Sequence, residues 1–194
     1  MKNVLVLGSG AREVAIARSI SQSLIKNSIF CISKDLNPQI MELCEDYLVL
    51  DVNKISEIVA YSKKKEIDLA IIGPEDPLAN GVVNELERAG VRCVGPKKEV
   101  ALIETSKAFA RKIIDHCCPE KNPRRKEFDS TDGVESFIGQ LGEEYVIKFD
   151  GLMGGKGVRV SGEHLKNVRE GLDYAGKIVE SGGKFLIEEK LVGE

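Results

Sequence analysis

Two lysines flank a glycine-rich segment in the second half of the chain, and this spacing suits phosphate chemistry. Lys148 lies in a short apolar run, residues 146–149, that is typical of a buried strand. The segment after this run contains Gly154, Gly155, Lys156 and Gly157. Lysine is a compact point charge with three donors, and glycines let a backbone fold closely over an anion. The pattern favours a clamp for a nucleoside triphosphate, although an ordinary glycine hairpin with two solvated lysines has the same local sequence.

A further predicted strand, which begins at Lys184 and includes residues 185–187, leads into a polar stretch that could hold a purine base. The residues of this stretch are Glu188, Glu189, Lys190 and Leu191. A base needs an apolar slot with backbone donors and acceptors along its edge, and an extended segment leaving a sheet offers both. Helix-forming sequence at 163–179 separates the lysine-glycine segment from this hinge. The order strand, loop, helix, strand and hinge predicts a nucleotide site.

Composition and charge argue against several classes of function. The chain has 194 residues, of which 42% are hydrophobic and 30% are charged, as in an ordinary globular protein. A formal net charge of -3 gives no basic field for nucleic acid. No apolar run is long enough to span a bilayer, and the first residues lack the pattern of a signal peptide. We therefore expect a cytoplasmic protein without nucleic-acid or membrane partners, and the sequence makes no prediction of oligomeric state.

Cysteine and histidine usage indicates neither a structural metal nor triad chemistry. The five cysteines are odd in number and have no metal-ligand spacing, so neither disulfides nor a metal site are expected. Cys117 and Cys118 could form a redox pair, but buried thiols are the favoured interpretation. His116 and His164 do not lie in nucleophile motifs.

Apolar runs alternate with amphipathic segments through the first half of the chain. The runs are residues 4–7, 29–32, 47–50, 69–72 and 91–94, and the amphipathic segments are 13–24, 55–65 and 82–89. This alternation predicts an α/β fold with a doubly wound parallel sheet over residues 1–103.

Two prolines, Pro119 and Pro123, mark the region between two predicted domains. We predict a linking helix at 104–115 and an exposed connector, together residues 104–123. Residues 124–194 then form a small α+β subdomain that is incomplete at its carboxyl end.

The loop after the first predicted strand could bind a second anion. Its residues are Gly8, Ser9, Gly10, Ala11 and Arg12. A helix that opens here presents backbone N–H groups and the positive end of its dipole. Asp35 lies at about the distance expected for the acidic residue of a dinucleotide site, so a dinucleotide-dependent oxidoreductase stays open as an alternative. Glu13, however, stands where that fingerprint has glycine, and its charge favours a single phosphate over a pyrophosphate.

A further acidic residue follows the fourth predicted strand at the same edge of the sheet. Glu75 could accept hydrogen bonds from sugar hydroxyls, because ligands of parallel sheets bind beyond the carboxyl ends of the strands. The alternative is that Glu75 and Asp76 merely cap a helix.

Five motifs occur together in an order that resembles the glycinamide ribonucleotide synthetase family, the phosphoribosylamine-glycine ligases of the ATP-grasp superfamily. The motifs occupy residues 8–13, 72–78, 94–96, 105–109 and 148–157. The resemblance implies a carbon-nitrogen ligase of purine biosynthesis. Such an enzyme joins glycine to phosphoribosylamine through an acyl phosphate and releases ADP and phosphate.

The resemblance also implies roles for individual residues. Lys148 and Lys156 would be catalytic. The ATP site would consist of Lys107, Lys148, Gly154, Gly155, Lys156 and Gly157 at the phosphates, and Glu188, Glu189, Lys190 and Leu191 at adenine. Residues 1–103 would bind phosphoribosylamine, with Gly8, Ser9, Gly10, Ala11 and Arg12 near its phosphate and Glu75 near its ribose. Magnesium or manganese would be needed, with ligands expected beyond Glu194 and none within the chain.

Two local departures and the chain length limit the resemblance. Val14 stands where the family has histidine, and residues 36–38 only loosely match the family's Pro-Gly-Asn. Family members continue well beyond Glu194, so we expect this chain to be a fragment that is inactive alone. The alternative is a non-catalytic module that binds a nucleotide or a phosphosugar.

Overall fold

The computed structural model describes residues 1–142 and 144–193. The chain divides into two compact units, Met1–Ala101 and Leu102–Glu194. In the described part of the chain, no helix is both long enough and apolar enough to cross a membrane.

The first unit is built on a five-stranded sheet. Its strands are β1 (Lys2–Leu7), β2 (Asn27–Ser33), β3 (Asp46–Val49), β4 (Leu69–Ile72) and β5 (Arg92–Val94). The strand order is β3-β2-β1-β4-β5, and all four pairings are parallel. Consecutive residues Val4 to Leu7 of the central strand are buried, as expected for a strand covered on both faces. The prediction of a doubly wound parallel sheet is confirmed.

Helices cover both faces of this sheet. They are α1 (Ala11–Ser21), α2 (Pro38–Met41), α3 (Ile55–Lys64), α4 (Glu75–Ala79) and α5 (Val82–Arg88). One core cluster joins Ala17 of α1 to Cys31 and Ile40. A larger cluster joins Ile58 of α3 and Leu86 of α5 to the strands. The order reversal at β1 places the ends of β1 and β4 side by side, where such sheets bind ligands.

Two helices follow β5 along the chain, in the region where the sequence predicted a helix at 104–115. They are α6 (Lys98–Thr105) and α7 (Lys107–Cys117). Ser106 adopts an extended conformation and its Oγ accepts a hydrogen bond from Phe109 N at 3.1 Å. Because this serine is the N-cap of α7, the predicted helix begins at Lys107 rather than at residue 104, and α6 before it was not predicted.

The second unit carries a four-stranded antiparallel sheet with the order β6-β9-β7-β8. The strands are β6 (Arg125–Phe128), β7 (Tyr145–Phe149), β8 (Val158–Val160) and β9 (Phe185–Glu189), and the helices are α8 (Val134–Gln140) and α9 (Val168–Glu180). Helix α9 starts five residues later than the predicted 163–179, because Asn167 caps it by accepting from Glu170 N. The prediction of a small α+β subdomain is confirmed.

The two faces of the antiparallel sheet differ in character. Phe185 and Ile187 of β9 pack with Ile147 of β7, Phe128 and the helices α8 and α9 in one hydrophobic cluster. Side chains alternate along a strand, so Lys148 and Glu188 project from the opposite face. Helix α7 contacts β9 from that second face.

Two glycines of α9 provide a matched test of this core. A methyl group at Gly171 would overlap Tyr145 Oη and lie 3.1 Å from its Cζ, whereas nothing lies within 4 Å of one at Gly176. Tyr145 is 1% exposed and cannot move into solvent. We expect Gly171→Ala to lower the free energy of unfolding by about 1–3 kcal/mol.

Gly176→Ala should raise the same free energy by about 0.5–1 kcal/mol, because only the helix propensity changes. Urea denaturation of both variants measures the difference. Equal effects of the two substitutions would contradict the packing of α9 on β7.

Candidate functional site

Lys148 lies in the middle of β7 with its ammonium group held in place. Its Nζ donates to Glu188 Oε2 at 2.7 Å. In the register of β7 and β9, Lys148 pairs with Leu186 and Val146 pairs with Glu188. Lys148 and Glu188 are therefore diagonal neighbours on one face, within reach of long side chains. The strand pairing thus sets the direction of the Lys148 side chain.

Arg111 of α7 binds the same carboxylate through two further hydrogen bonds. Its Nε donates to Glu188 Oε1 and its Nη2 to Oε2, both at 2.6 Å. The Glu188 side chain is only 2% exposed, against 21% for Arg111 and 24% for Lys148. Burial by itself raises the pKa of Glu188, but the hydrogen bonds from Arg111 and Lys148 outweigh it, and the net pKa is lowered. Glu188 is therefore a buried, ionised carboxylate between two cations.

The start of α7 is tied to the beginning of the glycine loop. The Asp150 carboxylate accepts from Ser106 Oγ at 3.2 Å and from Ala108 N at 3.1 Å. Lys107 Nζ donates to Gly151 O at 3.0 Å. A carboxylate at a helix N-terminus is favoured by the free N–H groups and the helix dipole. Lys107, predicted to contact phosphate, thus lies beside the loop that begins after Lys148.

The loop between β7 and β8 has a fixed base and an open tip. Phe149 N donates to Gly157 O at 2.8 Å, which closes the base. Gly154 and Gly155 have φ values of 54° and 78°, in the left-handed region that glycine adopts most readily. Lys156, between these glycines and the base, is exposed. The tip can therefore change conformation while the base remains attached to the sheet.

The predicted hinge begins while the chain is still in the sheet. Glu188 and Glu189 belong to β9, and Glu189 N donates to Arg124 O at 2.9 Å. Lys190 N donates to Glu144 O at 3.1 Å. Leu191 comes next, is 66% exposed, and its N–H has no hydrogen bond to any residue that the structure describes. Of the four hinge residues, Leu191 thus offers an open backbone donor.

A buried carboxylate at the start of α1 lies against the loop of the first unit. Glu13 is 5% exposed, and its side chain accepts from Gly10 N at 2.6 Å and from Arg12 Nε at 3.1 Å. A methyl group at Gly73 would overlap the Glu13 carboxyl group, with the carboxyl carbon 2.5 Å away. The Glu13 side chain therefore fills the space between the ends of β1 and β4, where a dinucleotide pyrophosphate would need glycine.

Arg12 connects this loop to the start of α4. Its Nη2 donates to Glu75 Oε1 at 3.1 Å. Hydrogen bonds to Glu13 and Glu75 raise the pKa of Arg12. Ser9 O accepts from Asn37 Nδ2 at 2.8 Å, which ties the loop to the N-cap of α2. The structure thus brings the predicted loop residues and Glu75 together, with Arg12 between two carboxylates.

Sequence reasoning missed three residues of these sites. Arg111 lies 77 positions from its partner Glu188, and no local spacing signals that ion pair. Asp150 follows directly after an apolar run, and Ser106 precedes a helix-forming stretch, so a search for cap residues would have found both.

Two family models match consecutive parts of this chain. The model described as phosphoribosylglycinamide synthetase, N domain, matches residues 2–104. The model described as phosphoribosylglycinamide synthetase, ATP-grasp (A) domain, matches residues 105–194.

Curated relatives agree with the family models over the full length of this chain. The phosphoribosylamine–glycine ligase of Methanococcoides burtonii is 41% identical over 192 residues, which cover 99% of this chain. The ligase of the same name from Methanopyrus kandleri is 40% identical over 199 residues, which cover all of it. The chain spans 44% of the length of each of these two relatives.

Solved structures share the fold at low sequence identity. A phosphoribosylamine–glycine ligase from Thermotoga maritima has a TM-score of 0.76 and 22% identity, and the match covers 99% of this chain and 44% of that one. A D-alanine–D-alanine ligase from Bacillus anthracis has a TM-score of 0.67 and 19% identity, with 100% and 58% coverage.

The pairing of Glu188 predicts a pH-dependent loss of stability. A lowered pKa means that the stabilisation is complete above the ordinary value of 4.5 and is lost as the pH falls through the lower folded-state value. At pH 7, Glu188→Gln should lower the free energy of unfolding by about 3 kcal/mol, because two cations lose a buried partner.

The difference in the free energy of unfolding between wild type and Glu188→Gln should decrease below about pH 4.5. Urea denaturation between pH 7 and pH 3.5 measures it. Glu189→Gln is the control, since Glu189 pairs with the 64% exposed Arg124. Its effect should be much smaller, because exposed ion pairs contribute little to stability. A gap that does not change with pH would show that Glu188 is not ionised in the folded protein.

Proposed function

The chain belongs to the phosphoribosylglycinamide synthetase family, and from this premise we propose that it forms the substrate and nucleotide part of a phosphoribosylamine–glycine ligase. The ligase joins glycine to 5-phosphoribosylamine with ATP and yields glycinamide ribonucleotide, ADP and phosphate in purine biosynthesis. Residues 1–103 form the phosphoribosylamine domain, 104–123 the linking segment and 124–194 the ATP-grasp small subdomain. A cytoplasmic location and small-molecule substrates, without a nucleic-acid or membrane partner, complete the proposal.

The observation that carries the proposal is the fixed ammonium of Lys148 beside a glycine loop. Its carboxylate partner Glu188 is also bound by Arg111, so the cluster has one positive charge more than it needs for neutrality. Such a surplus at a sheet face attracts phosphate oxygens. Lys107 lies at the start of the same loop, bonded to Gly151 O.

Adenine and the phosphates then have distinct contacts in the second unit. Lys107, Lys148 and Lys156 contact phosphates, and the loop with Gly154, Gly155 and Gly157 closes over them. The base lies against the hinge formed by Glu188, Glu189, Lys190 and Leu191. Support for the base position comes from the open N–H of Leu191, because Glu189 and Lys190 already donate within the sheet.

Catalysis in this assignment is mainly electrostatic. A glycine carboxylate oxygen attacks the γ-phosphorus and ADP leaves. The amine nitrogen of phosphoribosylamine then attacks the acyl carbon, loses a proton, and phosphate leaves. Lys148 and Lys156 offset the negative charge that develops on the transferred phosphoryl group. The glycine loop keeps water from the acyl phosphate.

Divalent metal is typical of this enzyme class, but the described residues do not fit a metal site. Among residues 1–142 and 144–193, no group of three or more His, Cys, Asp or Glu side chains could hold an ion. We therefore place the ligands for magnesium or manganese outside this chain and assign no step to a metal here.

Phosphoribosylamine belongs at the loop of the first unit. Gly8, Ser9, Gly10, Ala11 and Arg12 lie near its phosphate. Glu13 already occupies Gly10 N–H, so the remaining first-turn N–H groups of α1 serve the phosphate. Glu75 accepts from ribose hydroxyls. Binding of one phosphate rather than a pyrophosphate is supported by the buried Glu13 carboxylate.

A ribose 5-phosphate titration tests this assignment. Arg12→Ala should weaken binding about tenfold, the size of one charge-assisted hydrogen bond. Arg18→Ala on the same helix is the control, because Arg18 Nη2 donates to Gln39 Oε1 at 3.0 Å and the Arg18 side chain forms no other hydrogen bond within the described residues. Equal losses in the two variants would contradict the position of the phosphate.

A non-catalytic binding module is the second candidate. It is favoured for this chain alone, because the described residues provide no group of ligands for a metal ion. Both candidates bind ATP and the phosphosugar. They differ in phosphate release when glycine and phosphoribosylamine are present. We expect no turnover by this chain alone, and turnover typical of an enzyme would contradict that expectation.

ATP affinity should depend more on Lys148 than on Lys156. Lys148 is oriented by β7 and Glu188, whereas Lys156 must order a loop that contains two left-handed glycines before it contributes. Lys148→Ala should cost about 1.5–3 kcal/mol of binding free energy, and Lys156→Ala less. Calorimetry measures both, with the exposed Lys177→Ala on α9 as the control. An equal or larger loss for Lys156→Ala would show that the loop is already ordered.

A further inference from the structure

Glu188 places a constraint on Lys148 that the ATP assignment has to resolve. The carboxylate is 2% exposed and accepts a hydrogen bond from Lys148 Nζ at 2.7 Å. A carboxylate this deeply buried needs a cation, because removing one partner leaves an uncompensated charge in the interior. If Lys148 were the only partner, its ammonium could move to a phosphate only at that cost.

Arg111 removes this conflict. Its guanidinium binds both carboxylate oxygens of Glu188 at 2.6 Å, the two-pronged geometry of the strongest arginine–carboxylate pairs. Glu188 therefore stays compensated when the Lys148 ammonium donates to another anion. A single lysine paired with a single carboxylate would have no net charge, whereas the cluster of Arg111, Lys148 and Glu188 has one net positive charge.

Contacts along α7 hold Arg111 in place. At the start of the helix, Asp150 accepts from Ala108 N at 3.1 Å. Near its end, Asp115 forms an ion pair with Arg125 of β6. In addition, Asn122 Nδ2 donates to Arg111 O at 2.8 Å. The guanidinium is thus anchored through its helix to the sheet that carries Glu188.

We propose that Arg111 is a positioning residue for nucleotide phosphates: by neutralising Glu188, it frees the Lys148 ammonium to bind them. The proposal rests on the proposed function, because it requires an anionic nucleotide at Lys148. Arg111 acts through Glu188 and Lys148 and needs no contact with the nucleotide. Without the Arg111 guanidinium, Lys148 becomes the sole cation beside the buried Glu188 carboxylate and is no longer available to bind phosphates.

The test compares adenosine, AMP, ADP and ATP as calorimetric ligands of the whole chain. Arg111→Gln should weaken ATP binding about tenfold or more, the contribution of one charge-assisted hydrogen bond. ADP binding should weaken less, and adenosine binding should change less than about twofold, because adenosine has no phosphate. Lys112→Gln is the control, since Lys112 follows Arg111 on α7 and pairs with Glu127 through a side chain that is 64% exposed.

A double variant separates positioning from general damage to the fold. In Arg111→Gln with Glu188→Gln the buried charge is gone, so Lys148 is released. ATP affinity should return to within about threefold of the Glu188→Gln single variant. Arg111→Lys, which keeps one positive charge, should lie between wild type and Arg111→Gln. These two variants also keep the test valid if Arg111→Gln alone does not fold.

Each alternative outcome contradicts a distinct statement. Equal losses for all four ligands would show that Arg111 only supports the fold. No recovery in the double variant would show that Arg111 does not act through Glu188. Wild-type protein that binds none of the four ligands would overturn the proposed function together with this inference. Wild-type ATP binding with an unaffected Arg111→Gln variant would overturn this inference alone.

Discussion

The second unit depends on the ion pairs that the buried carboxylate of Glu188 forms. Its neighbours in β9, Phe185 and Ile187, lie in the hydrophobic core, so the alternation of the strand directs Glu188 to the opposite face. There it is 2% exposed and requires cations. Arg111 satisfies it from α7 and Lys148 from β7. The contact of α7 with β9 and the ion pair of Lys148 with Glu188 both meet that requirement. A slip of one residue in the β7–β9 pairing would reverse the two faces.

The glycine loop combines this fixed cluster with a movable cover. Asp150 binds the first turn of α7, and the Phe149–Gly157 hydrogen bond closes the loop base. Between them the chain passes through Gly154 and Gly155 in left-handed conformations. Ordering such residues costs conformational entropy, so the tip gains stability only when an anion supplies contacts. Under the proposed function, the lysine of β7 binds the phosphates first, and the loop then excludes water around it.

The fold was predictable from the sequence because its signals are local. Each buried strand of the parallel sheet is a short apolar run, and the amphipathic segments between runs have the period of a helix. The lysine-glycine segment was found in the same way. The Arg111–Glu188 pair was not found, because its partners are 77 positions apart. In addition, arginine and glutamate are residue types that usually lie on the solvated surface. The helix break at Ser106 was missed because propensity at 104–115 favours helix, and the serine cap that interrupts it depends on one side-chain hydrogen bond.

The candidate sites of the first and second units both contain an arginine paired with a buried carboxylate, but the net charges of the two clusters are opposite. In each, an arginine on a helix neutralises a buried carboxylate: Arg12 with Glu13, and Arg111 with Glu188. Around Arg12 there are two carboxylates, because Glu75 also accepts from it. Around Glu188 there are two cations. The carboxylates around Arg12 are acceptors that suit hydroxyl donors such as those of a sugar, whereas an excess of cation suits a polyphosphate. The surplus positive charge in the second unit is thus consistent with the proposed ATP site.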